Sequence, residues 1–264
     1  MMYEFMQNAI MATMIVGIIA GLMGSFIVVK KLVFLSGGIA HASYGGIGLG
    51  LLLGVDPIYA ALPFSVLSAM VIGVIRKKTS DDTAIGIVWA LGMALGVLFI
   101  SFAPGYVPDV SSYLFGNILL ITRNEVFFTA ALAALVIVII ATFYEEFHLI
   151  SFDEEFAEAV GVSQFFDYLL LILAAVSAVV LVRVVGIVLA IAMFTLPPAI
   201  VRGRSRGLKS MIALSIIAST ALSLAGLYLS YLLDVPSGAT IVLVMGAVYL
   251  IVRAFEKVSS SNNG

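Results

Sequence analysis

With 264 residues, 62% of them hydrophobic and only 11% charged, the chain carries more apolar side chain than one or two soluble domains of that length could bury, which places it in a bilayer. The 13 Lys plus Arg against 15 Asp plus Glu leave a net charge of -2, which excludes a nucleic-acid binder and a basic surface anchor. The absence of cysteine excludes disulfide frameworks, thiolate metal sites and cysteine nucleophiles, and only His41 and His148 offer imidazole.

The first apolar run, 5–29, holds no ionisable group and is followed by Lys30 and Lys31. It is longer than a signal-peptide core, lacks a basic segment before it and shows no small-residue cleavage pattern, so it is expected to stay as a membrane span. Further apolar runs occupy 32–55, 58–75, 84–102, 126–144, 168–185, 187–201, 208–233 and 239–252. None alternates apolar and polar residues as a barrel strand would, and an apolar segment in lipid must satisfy its own backbone, so all are expected to be helices. The predicted fold class is an all-α, polytopic integral membrane protein of eight or nine transmembrane helices. The short seventh run and its boundary at Gly186 leave a re-entrant piece as the alternative to a ninth span.

The second run carries Gly38, Ala42, Gly46, Gly50 and Gly54 at four-residue spacing, a face bare of bulk that lets another helix backbone approach closely. It also carries His41, the one histidine placed within a span. An ionisable group in a bilayer is a functional candidate by default and neutral imidazole ligates divalent transition metals; the bland alternative is a histidine hydrogen-bonded to a neighbouring helix. Pro63 predicts a kink in the third run.

The one long polar interruption, 145–167, places Phe152, Phe156 and Val160 every four residues with Asp153, Glu154, Glu155 and Glu158 between them, the pattern of a short amphipathic helix at about 151–162 ended by Gly161. Helices lying on lipid headgroups carry Lys and Arg on the polar face, so an acidic one fits a docked soluble partner better. In the seventh run Pro197 and Pro198 remove backbone donors and are expected either to break the helix beside a transport path or to end it before the basic cluster that follows.

Threading nine spans gathers Lys30, Lys31, Arg76, Lys77, Lys78, Arg202, Arg204, Arg206, Lys209, Arg253 and Lys257 on one face and leaves only Arg123 and Arg183 opposite. The positive-inside rule makes that face cytoplasmic, with the N-terminus outside, the C-terminus inside and 259–264 a frayed tail after a permease domain of 1–258. Glu4, Asp56, Asp109, Glu125 and Asp234 fall on the outer side, which makes that mouth electronegative. No phosphate-binding loop, H-E-x-x-H motif or buried acidic pair is present, so neither nucleotide hydrolysis nor gradient coupling is encoded in the chain, and energy must come from a separate subunit.

These residues resemble the permease subunits of zinc- and manganese-type ABC importers over nearly the whole chain. The resemblance is carried by FMQNAIMATMIVGIIAGLMGSFIVVKKL at the start, GGIAHASYGG around His41, DDTAIGIVWALGMALGVLFIS from Asp81, SSYLFGNIL from Ser111, FDEEFAEAVGV from Phe152, VVGIVLAIAMFTLPPA from Val184 and PSGATIVLV from Pro236. It implies a non-enzymatic permease in a prokaryotic plasma membrane. The expected partners are a second copy of itself, two cytoplasmic ABC ATPases and an external metal-loaded solute-binding protein. Zinc or manganese would pass as cargo, with no permanently bound cofactor.

The same resemblance assigns ATPase coupling to Phe156, Ala157, Glu158, Ala159 and Gly161. In many relatives an aspartate four residues before the histidine completes a ligand pair. Here that position is Gly37, which shifts the expectation from manganese toward zinc. His41 from each protomer would then meet the passing ion, aided by Ser36 or Ser43 or by water. The competing readings are an ABC permease for a metal chelate such as cobalamin or a siderophore, and a gradient-driven carrier.

Overall fold

The computed structural model describes residues 4–104, 111–116, 118–162 and 164–261. Every regular element among them is helical: α1 (Glu4–Val29), α2 (Val33–Leu53), α3 (Pro57–Ile75), α4 (Asp81–Phe102), α5 (Ser111–Phe115), α6 (Arg123–Thr142), α7 (Tyr144–Phe152), α8 (Glu154–Ala159), α9 (Gln164–Val185), α10 (Ile187–Val201), α11 (Leu208–Leu233) and α12 (Ser237–Ser261). Short 3-10 turns follow at Ile118–Leu120 and Arg202–Arg204.

Among the described residues 8 helices are long and apolar enough to cross a membrane, α10 being counted with the turn after it. The helix outside that set, α2, has 21 residues and so spans about 31 Å at the usual 1.5 Å rise per residue. Its glycines and His41 dilute its hydropathy, which it can bear because neighbouring helices rather than lipid cover it: most of its residues are buried.

Helix starts are set by local chemistry. Asp56 accepts from the Ile58 amide with Pro57 at the first helical position, Ser80 accepts from the Thr83 amide with Asp81 and Asp82 in the first turn, and Thr122 and Glu125 form a reciprocal capping box. Each such cap contributes about 1 kcal/mol by pairing amides that the helix leaves open. Within the bundle Thr13, Ser25, Ser68 and Ser177 donate to carbonyls four residues back, a local solution that a dry interior favours.

Contacts between helix ends define an up-and-down arrangement. Lys30 after α1, Arg76 after α3 and Asp167 in the first turn of α9 meet at one end, where Lys209 of α11 also reaches Glu145 of α7. At the opposite end Asn8 of α1 donates to the Ile121 carbonyl, and the Ile118 amide donates to Ser237 at the start of α12. There α5 is wedged against the α9–α10 junction so closely that a Cβ on Gly116 would lie 2.3 Å from the Val185 carbonyl carbon. The basic clusters thus share one end of the molecule. The centre is held by α1 and α9, with 72% and 78% of their apolar stretches buried, whereas α4 and α12, at 22% each, turn large apolar side chains such as Leu91, Val97, Leu243 and Leu250 outward.

Three expectations are corrected. The interruption at 145–167 is two helices, because Asp153 adopts an extended backbone (φ -149°) and caps α8 by accepting from the Phe156 amide, so Phe152 ends α7 instead of sharing a helix with Phe156. α10 runs through Pro197 and Pro198 to Val201, so neither proline breaks it, and of the two outcomes expected there the end before the basic cluster is the one found. The carbonyl of Phe194, deprived of its usual donor by Pro198, is instead packed by α1, where a Cβ on Gly24 would come within 2.3 Å of it. α12 stays helical to Ser261, so the tail expected from 259 is not a frayed segment there; residues 262–264 lie outside the described residues.

Candidate functional site

His41 projects from the middle of α2, half-buried, and stacks on Trp89 of α4 with ring centroids 4.2 Å apart and planes 30° from parallel. Its Nδ1 lies 2.8 Å from the Gly37 carbonyl oxygen. A carbonyl only accepts, so Nδ1 carries the proton and the lone pair of Nε2 is left to a ligand. This is the arrangement that orients metal-binding imidazoles, in which one ring nitrogen is held so that the other can coordinate. Gly37 cannot add a carboxylate, and a Cβ there would sit 2.7 Å from Ile191 Cδ1 of α10. Among the described residues no group of three or more His, Asp or Glu side chains could hold an ion.

Ser36 and Ser43 are not brought together with His41. Both are fully buried, and their hydroxyls donate to the Val33 and Ala40 carbonyls of α2 itself at 2.7 and 2.5 Å. At about 100° per residue they lie well around the helix from His41.

The small residues of α2 serve two neighbours. Against α4, a Cβ on Gly38 would meet Ile85 and one on Gly48 would meet the Gly96 backbone, while a Cβ on Gly92 of α4 would lie 2.6 Å from Ala42 Cα. Against α3, Gly46 faces the Ala61 backbone and Gly50 faces Pro57. Gly54 has a different task. Its left-handed φ of 68° closes α2, and no atom lies within 4 Å of where its Cβ would be. Gly92 and Gly96 escaped notice in the sequence, although their four-residue spacing in the fourth run was the available signal.

At the basic end, α7 and α8 form an acidic handle. Phe152 at the end of α7 and Phe156 and Val160 on and just after α8 are 61%, 53% and 52% exposed, and Glu158 and Ala159 are exposed as well. Ala157 is buried and faces the bundle. Gly161, at φ 86°, closes α8: its amide bonds the Glu158 carbonyl and the Val162 amide bonds the Ala157 carbonyl. A cavity of about 280 Å³ separates this handle from the loop after α3, lined by Arg76, Lys77, Asp81, Glu158, Gln164 and Asp167 among others.

At the other end Arg183 pairs with Glu125, whose second carboxylate oxygen accepts from the Thr122 amide at 2.7 Å. Burial pushes the Tyr113 hydroxyl above its ordinary range, with Arg183 opposing and Asp56 reinforcing that shift. Two of the five carboxylates expected to charge this mouth, Asp56 and Glu125, are therefore committed to helix caps, and Asp109 lies outside the described residues.

The sequence matches the ABC 3 transport family over residues 2–256. It is 42% identical over 258 residues to an uncharacterised membrane protein of Synechocystis, covering 97% of this chain and 92% of that one. It is 35% identical over 258 residues to the manganese transport system membrane protein MntC of Listeria monocytogenes, again covering 97% and 92%. Among solved structures, PsaBC from Streptococcus pneumoniae in complex with Fab superposes with a TM-score of 0.85 at 34% identity, covering 95% of this chain and 91% of that chain.

Proposed function

The chain belongs to the ABC 3 transport family, and from that premise we propose that it is the permease subunit of an ATP-driven importer that moves divalent metal ions across the plasma membrane into the cytoplasm by alternating access. The basic end faces the cytoplasm by the positive-inside rule. Two copies form the pathway, two ATPases dock on the handle, and a metal-loaded binding protein delivers cargo outside. The observation that carries this reading is the exposure of three large apolar side chains, Phe152, Phe156 and Val160, on an acidic handle. An exposed apolar patch rimmed by charge is a protein-docking surface, and it lies at the end where a soluble motor would be.

His41 from each protomer contacts the ion through Nε2, with water completing a weak shell that favours release. Relatives named for manganese transport support manganese as cargo. Zinc is the second reading, because a lone nitrogen donor with Gly37 in the place of a carboxylate suits zinc better. In vesicles holding the permease with its ATPase and binding protein, ATP-dependent uptake of manganese and of zinc is measured separately. His41→Ala is expected to lower uptake of the cargo at least tenfold with assembly intact. Unchanged uptake by that variant removes the ligand assignment, and uptake of a chelate but of neither free ion overturns the cargo.

A further inference from the structure

α9 is the most enclosed of the spanning helices, and it is gripped by charge at both ends. Near its start, Asp167 splits its carboxylate between two cations: Oδ1 accepts from Lys30 Nζ at 2.7 Å, and Oδ2 pairs with the Arg76 guanidinium. All three side chains are at most 15% exposed, so these charges are little screened. Lys30 follows the last residue of α1 and Arg76 follows the last residue of α3, so a single carboxylate joins three helices. Near the far end of α9, Arg183 pairs with Glu125 of α6.

The handle leads straight into this clamp. The chain from α8 enters α9 within a few residues. Across that turn Gln164 Nε2 donates to Glu158 Oε1 at 3.2 Å, while Lys77 Nζ donates to Gln164 Oε1 at 2.7 Å. Gln164 and Asp167 are three residues apart on α9, one above the other on the same face. A displacement of α8 therefore reaches Gln164 first, then Asp167, and through Asp167 the ends of α1 and α3.

We propose that Asp167 is a positioning residue for transport, which makes α1 and α3 follow α9 when the handle is moved. This rests on the reading of the handle as an ATPase-docking element. Without the carboxylate, the bonds that tie Lys30 and Arg76 to α9 are lost, and the ends of α1 and α3 no longer move as one with it.

The test uses the complete transporter in vesicles, with metal uptake and ATP hydrolysis recorded in the same preparation. Asp167→Asn is expected to hydrolyse ATP within about twofold of the unaltered complex while uptake per ATP falls at least tenfold. Because removing a buried carboxylate can impair folding, a second variant, Lys30→Met, Arg76→Met and Asp167→Leu together, removes the ionic link while leaving the site apolar and packed. It is expected to assemble and to show the same loss of uptake per ATP. An unchanged ratio in either assembled variant overturns the proposal, and so does failure of both to assemble, which would leave the triad a folding element only. Absence of ATP-driven uptake in the unaltered complex counts instead against the functional reading.

Discussion

The seam between α2 and α4 and the join between α8 and the bundle are built on opposite principles. In the seam, backbone meets backbone: a Cβ on Gly48 would stand 2.5 Å from the Gly96 carbonyl oxygen, and one on Gly92 2.6 Å from Ala42 Cα. In the join, the tips of long side chains meet, through Glu158, Gln164, Lys77 and Tyr168. Lipid supplies no hydrophobic drive for helices to associate, so close packing must hold the seam, and close packing has no slack. Bonds between flexible, partly solvated side chains can lengthen and re-form. On the proposed function, the contrast suits the seam to holding His41 in register with Trp89 and the join to being moved.

Substitutions that break the contrast are expected to differ in kind as well as size. Gly48→Leu or Gly92→Leu should abolish recovery of folded permease in detergent, since several atoms would have to occupy backbone space; monodisperse protein of normal thermal stability would disprove the rigid seam. Glu158→Lys should leave the folded protein intact, remove its bond to Gln164 and place a cation beside Lys77, and lower uptake per ATP severalfold. Full coupling in that variant would show that the join transmits nothing through this residue.

Smaller effects sharpen the same picture. Gly161→Val should destabilise the handle locally by about 1–2 kcal/mol because a β-branched residue resists a left-handed backbone, whereas Gly161→Asn should cost little. Faster amide exchange at 154–162 in the valine variant alone would bear this out, and equal exchange in the two variants would refute it. Least of all, Lys209→Ala removes a pair with Glu145 whose side chains are 74% and 77% exposed, and thermal stability should shift by no more than about 0.5 kcal/mol.

The spans were legible because lipid enforces long uninterrupted apolar runs, and the run ends coincide with helix ends to within about four residues, except that α12 continues to Ser261 past the end of its apolar run at 252. The two-helix form of the handle was not, since Phe152, Phe156 and Val160 keep a helical period across a break that depends on the backbone of Asp153 alone. Nor did the sequence decide between a break at Pro197 and Pro198 and a helix end after them, because whether a helix survives a proline depends on what covers the freed carbonyls, here α1 at Gly24. His41 stood out as a charge-capable group in a span, yet its stacking partner is on another helix, and Asp167 looked like one more acid in an acidic stretch. Arg183, whose orientation was open in the sequence, is tied to Glu125 by a fold that no local pattern encodes.

Trp89 is the sole tryptophan of the chain, and its indole lies against the His41 imidazole. On the proposed role of His41, the intrinsic ultraviolet emission of the protein is therefore a built-in gauge of that ring's occupancy. An imidazole that gains a proton or a paramagnetic ion quenches an indole stacked upon it, so arrival of manganese could be followed optically in the unlabelled transporter, against a His41→Ala control that should stay bright.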